Sequence, residues 1–159
     1  MNYSSIPCNW VDARILIKTD SKYRDANLNW ELTKTSIYNN INTKLLNITQ
    51  GFIASDANNF STTLGREGSD YTAAIFAYCL NAESVTIWKD VPGVLNADPR
   101  VFKKPQLLNK ISYTEAIELA FYGASVIHPK TLQPLQKKEI PLYVKSFLNP
   151  SGKGTAISR

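Results

Sequence analysis

Hydrophobic positions along the chain fall into short blocks separated by polar or turn-forming stretches, and the blocks alternate between two periods. Residues 11–19 carry Ile15, Leu16 and Ile17 in succession, a β-rich run that reads as a strand. Residues 28–46 set Leu32, Ile37, Ile41 and Leu45 at loosely helical spacing around an Asn-rich patch. Residues 48–54 read as a second strand broken by Gly51, and the polar, Gly-containing stretch 55–68 reads as loop. Across 69–82, Ala73, Ala74, Phe76, Ala77 and Leu80 are apolar over most of a helical circumference, as expected for a helix packed on a sheet. Residues 85–88 form a short apolar strand, and 90–105 a long loop. Ser112 and Glu115 have capping-box spacing and open a helix that Gly123 closes. His128-Pro129 begins another helix reaching about Lys138, and 142–147 is a closing strand. This alternation predicts an α/β domain with a mainly parallel sheet. Ligands in such sheets sit beyond the carboxyl ends of strands, which points to the loops after Ala54 and Trp88.

Composition narrows the class without naming a function. At 159 residues the chain is one domain, or one large lobe of a bigger one. A hydrophobic content of 43% with 19% charged residues suits a packed globular core. No apolar run approaches the roughly 18–20 residues that cross a bilayer, and the first ten residues lack the basic and apolar regions of a signal peptide. A cytoplasmic location with no membrane partner is therefore expected, where Cys8 and Cys79 are two reduced thiols. The net charge of +5 is scattered, with only short pairs such as Lys103-Lys104, whereas nucleic-acid binders cluster their cations. No nucleic-acid partner is expected; a small anion such as ATP needs only a few placed cations.

Three segments carry candidate chemistry. In Thr62-Thr63-Leu64-Gly65-Arg66-Glu67-Gly68-Ser69-Asp70, two glycines allow close backbone approach to a ligand. The helix that follows offers N–H groups and positive charge to an anion. Arg66 can grip a carboxylate or phosphate through two parallel hydrogen bonds; an ordinary glycine turn with Ser69 or Asp70 as N-cap is the alternative. In the second segment, a buried strand ends in Lys89-Asp90-Val91-Pro92-Gly93-Val94-Leu95 and runs on to Asp98-Pro99-Arg100. Loops that long are usually functional or mobile, although Val-Pro-Gly is also a plain turn. The third is the run 121–131, where His128, the one histidine in the sequence, stands before a proline at a helix start and reads as a structural or capping group. Lys130 can reach a phosphate or remain a solvated surface lysine. The Gly-x-x-x-x-Gly-Lys-Ser/Thr loop is absent, as are the protein-kinase glycine loop and Asp-Phe-Gly.

Taken together, Thr49-Gln50-Gly51-Phe52-Ile53, the runs 62–74, 88–100 and 121–129, and Asn149-Pro150 with Gly154-Thr155 resemble the aspartokinases of the amino-acid kinase family, in order and spacing, from about Trp10 to Thr155. The resemblance implies a three-layer αβα sandwich around a mainly parallel sheet. It further implies transfer of the ATP γ-phosphoryl to the side-chain carboxylate of L-aspartate, the first step of lysine, threonine and methionine biosynthesis. Arg66, Glu67, Gly68 and Ser69 would hold aspartate, with Arg66 on a carboxylate, and Asp70 would be catalytic, organising lysines around the transferring phosphoryl. Lys89, Asp90, Leu95, Arg100, Ser125 and Val126 occupy the family's ATP contacts. Mg²⁺ would arrive on the phosphates, and the full-length parent would be a homo-oligomer.

Three positions depart from the pattern: Glu67 replaces a small residue, Lys89 replaces a common Thr, and Ser125 stands where many relatives carry a phosphate-binding lysine, for which Lys130 is a substitute. The family's opening Lys-x-Gly-Gly-Thr-Ser loop has no match in the sequence, nor do the ACT domains that follow Thr155 in relatives. The resemblance thus implies the C-terminal, nucleotide-binding portion of an aspartokinase catalytic domain over 1–159, from a parent either monofunctional or fused to a homoserine dehydrogenase. By itself such a portion is expected to be inactive as a kinase.

Overall fold

The computed structural model describes residues 6–98, 100–121 and 126–159, which divide into two compact units, 1–72 and 73–159. In the first unit, β1 (Cys8–Trp10) pairs in parallel with β2 (Leu46–Ile48). Residues 11–19, expected as a strand, instead contain a short helix, α1 (Ala13–Leu16). The Asp12 side chain accepts from the Arg14 N–H at 2.9 Å and caps it. Burial explains the difference: Ala13, Leu16 and Ile17 are fully buried while Ile15 is 52% exposed. The apolar contacts therefore follow i, i+3, i+4 rather than alternation. Only Lys18 and Thr19 enter bridges, with Ser55 and Leu28.

Next along the chain, α2 (Trp30–Asn40) starts at Asn29, whose side chain accepts from Leu32 N–H at 3.1 Å. The expected strand 48–54 is split. Its early part belongs to β2, its late part to β3 (Ile53–Ser55), and Phe52 between them takes φ +75°. The stretch expected as loop holds a further strand, β4 (Ser61–Thr63), antiparallel to β3 in the register Ala54↔Thr62. The turn joining them is set by buried Asp56, whose carboxylate accepts from the N–H groups of Asn58 and Phe60. Neither signal is periodic, so neither was visible as a strand pattern.

The unit boundary falls inside α3 (Gly68–Leu80). The second unit carries a four-stranded sheet in the order β5-β7-β8-β6, from β5 (Val85–Lys89), β6 (Lys110–Ser112), β7 (Leu142–Ser146) and β8 (Thr155–Ser158). Pairs β5/β7 and β6/β8 are parallel and β7/β8 is antiparallel. Among the described strands three of five pairings are parallel, the mixed α/β architecture with a mainly parallel sheet that the sequence predicts. Alternation along β5 turns Val85 and Ile87 inward and Trp88 outward. The inward set packs with Leu142, Val144 and Ile157 against Leu132 and Leu135.

Helix α4 (Tyr113–Phe121) opens on the predicted capping box. Ser112 N–H donates to Glu115 Oε2 at 2.7 Å, and Glu115 N–H to Ser112 Oγ at 3.2 Å. The hydrogen bonds from Ser112 hold the Glu115 carboxyl below its usual range. Helix α5 (Pro129–Lys137) is capped by His128, whose Nδ1 accepts from Lys130 N–H at 3.2 Å. The capping reading of the histidine is the one found. Gly123, expected to close α4, lies outside the described residues.

Candidate active site

The residues expected to hold the substrate, Arg66 to Asp70, all fall in the first unit. Gly65 takes φ +77° and Glu67 φ +52°, and Gly68 N–H closes the turn on Gly65 carbonyl oxygen at 3.1 Å. Helix α3 then starts at Gly68. Ser69 and Asp70 therefore lie inside the first helical turn, so neither is the N-cap that an ordinary glycine turn would make of them. Arg66 and Ser69 are exposed and Asp70 half-buried. A guanidinium, a hydroxyl and a carboxylate thus stand on five successive residues at the positive end of a helix, an arrangement suited to a small zwitterion with a second carboxylate.

Why Thr49 to Ile53 accompanies this loop becomes clear from packing. A methyl group on Gly51 would stand 2.9 Å from Ser69 Cβ and 3.0 Å from its Cα, so only glycine lets the two segments approach this closely. Phe52 then reverses direction: its N–H donates to Thr72 Oγ1 at 3.0 Å, and its carbonyl accepts from Leu64 N–H at 3.0 Å. Thr72 Oγ1 in turn donates to Gly68 carbonyl oxygen at 2.9 Å. One buried hydroxyl joins both halves of the loop's support. Sequence reading missed Thr72, since nothing within four residues of it signals a partner 20 positions away. Thr72→Val is expected to cost about 1–3 kcal/mol by leaving Phe52 N–H without its acceptor, and Thr72→Ser less than about 1 kcal/mol. Urea denaturation of the three proteins checks this. Beside Asp70, burial pushes the Tyr71 phenol up to about 12, so it is neutral at physiological pH and no candidate base.

The residues expected to address the nucleotide fall in the second unit. Lys89 ends β5 and Asp90 follows in a bend, at the carboxyl edge where ligands of α/β sheets bind. Phe147 N–H donates to Lys89 carbonyl oxygen at 2.9 Å, which fixes that edge. The run after Asp90, expected as a loop, carries antiparallel pairing instead. Leu95 bridges Leu107, Leu108 N–H donates to Val94 carbonyl oxygen at 2.9 Å, and Asn96 N–H to Gln106 carbonyl oxygen at 3.0 Å. Near its tip Arg100 Nε and Nη2 fork onto the Asp98 carboxylate, with Nη2 at 2.7 Å. That pairing holds the Asp98 carboxyl below its ordinary range. Both groups are on the surface, so the pair contributes little to stability but presents the guanidinium in one orientation. Val126 is half-buried against the sheet core, and Lys130 lies in the first turn of α5. Ser125 lies outside the described residues.

The sequence profile of the amino acid kinase family matches residues 1–146. The chain belongs to this family. Among curated members it is 40% identical over 156 residues to the lysine-sensitive aspartokinase 3 of Escherichia coli strain K12, covering 96% of the chain and 34% of that protein. It is 38% identical over 159 residues to the chloroplastic bifunctional aspartokinase/homoserine dehydrogenase 1 of Arabidopsis thaliana, covering 98% and 18%. The crystal structure of E. coli aspartokinase III in complex with aspartate and ADP superposes with a TM-score of 0.92 at 38% identity, over 97% of the chain and 35% of that protein. The chain spans about a third of the length of the E. coli relative and under a fifth of the plant one. The likeness to the amino-acid kinase fold extends over both units, and the three-layer αβα class expected from the resemblance is the class of its structural neighbours.

Proposed function

We propose that the chain is the nucleotide-side portion of an aspartate kinase catalytic domain, which transfers the γ-phosphoryl of ATP to the side-chain carboxylate of L-aspartate. The observation that carries this reading is the superposition at TM-score 0.92 on a protein solved with aspartate and ADP. The Gly65–Asp70 turn and the edge of β5 supply the groups such a reaction asks for. Arg66 grips an aspartate carboxylate, while Glu67, Gly68 and Ser69 shape and hydrogen-bond the rest of the acceptor. Asp70 acts in the transition state by holding cationic groups around the transferring phosphoryl. Lys89, Asp90, Leu95 and Arg100, with Ser125, Val126 and Lys130, address the nucleotide. Phosphoryl transfer requires mainly positioning and charge neutralisation, which cations and backbone donors provide. The described residues contain no group of three His, Cys, Asp or Glu side chains suited to a metal ion; in this reading Mg²⁺ rides on the triphosphate. The product is aspartyl phosphate, the precursor made at the start of lysine, threonine and methionine biosynthesis, and the whole protein acts as a homo-oligomer.

A graft tests the reading. Residues 6–159 would replace the matching segment of E. coli aspartokinase 3, and aspartyl phosphate would be trapped as its hydroxamate. Turnover with ATP and L-aspartate, and none with carbamate or glutamate, is the expected result. A graft that phosphorylates one of those acceptors and leaves aspartate untouched overturns it. The isolated chain is expected to bind Mg-ADP by calorimetry without forming detectable hydroxamate.

A further inference from the structure

The excursion that leaves β5 at Asp90 and returns to β6 at Lys110 is the longest stretch between named elements in the second unit. What holds its two legs together is a side chain from another strand. Thr155, the first residue of β8, is fully buried. Its Oγ1 accepts from Val94 N–H at 2.9 Å and donates to Leu108 carbonyl oxygen at 2.6 Å, across sequence separations of 61 and 47. Val94 and Leu108 already share one direct bond, Leu108 N–H to Val94 carbonyl oxygen at 2.9 Å. In a regular antiparallel pair such residues exchange a second, reciprocal bond. Here the threonine hydroxyl stands in the place of that second bond and relays it. A hydroxyl carries one donor and two acceptor lone pairs, so it can satisfy an N–H and a C=O at once. Serine keeps this double capacity, whereas valine, which has the same shape as threonine, loses it. The next residue fixes the same level, with Ala156 N–H donating to Asn109 carbonyl oxygen at 2.9 Å.

We infer that Thr155 is a positioning residue for nucleotide binding: its hydroxyl sets the spacing and register of the excursion that carries Leu95 and Arg100. The inference rests on the reading that this excursion addresses the nucleotide. Leu95 adjoins Val94 and bridges Leu107, which adjoins Leu108, so the relay acts on the residue pair next to a nucleotide contact. Replacing the hydroxyl by a methyl group leaves the N–H of Val94, a residue only 5% exposed, with no acceptor. The legs cannot close to restore a direct bond, because the methyl occupies the gap.

The experiment compares wild type, Thr155→Val and Thr155→Ser in the full 159-residue chain. Amide hydrogen exchange reads Val94, and calorimetry reads Mg-ADP affinity, both well below the melting temperature. Thr155→Val is expected to speed exchange at Val94 at least tenfold and to raise the Mg-ADP dissociation constant about tenfold. Thr155→Ser, which keeps the oxygen, is expected to restore both to within threefold of wild type. Unchanged Val94 exchange in a folded Thr155→Val protein overturns the inference. So does faster exchange with unchanged Mg-ADP affinity, since the side chain would then be structural only. If Thr155→Val does not fold, Thr155→Ala removes the same oxygen without added bulk. Failure of both to fold beside a folded Thr155→Ser marks a general structural role and also overturns the inference. Absence of Mg-ADP binding by the wild-type chain speaks against the nucleotide reading itself, and the exchange measurement then decides alone whether Thr155 sets the excursion.

Discussion

Gly154→Ala is expected to destabilise the second unit by about 2–5 kcal/mol. Gly154 has φ +69°, where an L-residue with a Cβ costs roughly 1–2 kcal/mol. A Cβ there would also collide with the Val144 carbonyl oxygen. Val144 belongs to β7, which is held between β5 and β8, so that oxygen cannot withdraw without breaking a ladder on either side. Overpacking of this kind adds about 1–3 kcal/mol. The sum is a large share of the roughly 5–15 kcal/mol that holds a typical domain together. Urea denaturation followed by circular dichroism measures it. A loss below about 1 kcal/mol would show that β8 can start elsewhere and that the glycine is incidental. The position explains itself by topology: the chain must reverse after β7 and enter β8 antiparallel at Thr155, opposite Val144.

The second large effect concerns chemistry rather than folding. In the grafted enzyme, Asp70→Ala is expected to lower kcat by about 10²–10³-fold, the range for loss of one preorganised electrostatic group, while Mg-ADP affinity stays within about threefold. An interaction made mainly in the transition state behaves in this way. Asp70 lies in the first turn of α3, where a carboxylate also favours the helix by about 0.3–1 kcal/mol. The variant should therefore remain folded. Arg66→Ala should instead raise the aspartate concentration needed for half-maximal rate, because the exposed guanidinium is assigned to ground-state binding. Steady-state kinetics with both substrates varied separates the two. Should both variants change only nucleotide affinity, the roles given to the Gly65–Asp70 turn are wrong.

How much of this was legible beforehand differs from element to element. The capping box at Ser112 and Glu115 is complete in four residues, and it appears as read. The short apolar run of β5, the apolar circumference of α3 and the His128-Pro129 start of α5 are likewise local. Each element stands close to where its pattern put it, although β5 is buried on one face only, with Trp88 outward. Residues 11–19 went the other way. Ile15-Leu16-Ile17 looks like a strand, but Asp12 caps a turn of helix, and burial selects Ala13, Leu16 and Ile17. Strand β4 escaped because Ser61–Thr63 has no apolar alternation; its pairing with β3 is what makes it a strand.

The site divides along the same line. The sequence determined the chemistry on offer: Arg66, Ser69 and Asp70 on a glycine turn at a helix start, and Lys89 and Asp90 at the end of a strand buried on one face. Caps, periodicity and turn residues act within about four positions, so one sequence carries them whole. Tertiary structure alone decided what supports that chemistry. Thr72 reaches Phe52 across 20 residues, Thr155 reaches Val94 and Leu108 across 61 and 47, and Asn96 pairs with Gln106 to fold the excursion back on itself. A hydroxyl has no periodic signature, and its partner is chosen by which distant backbone groups the closed chain leaves buried and unsatisfied.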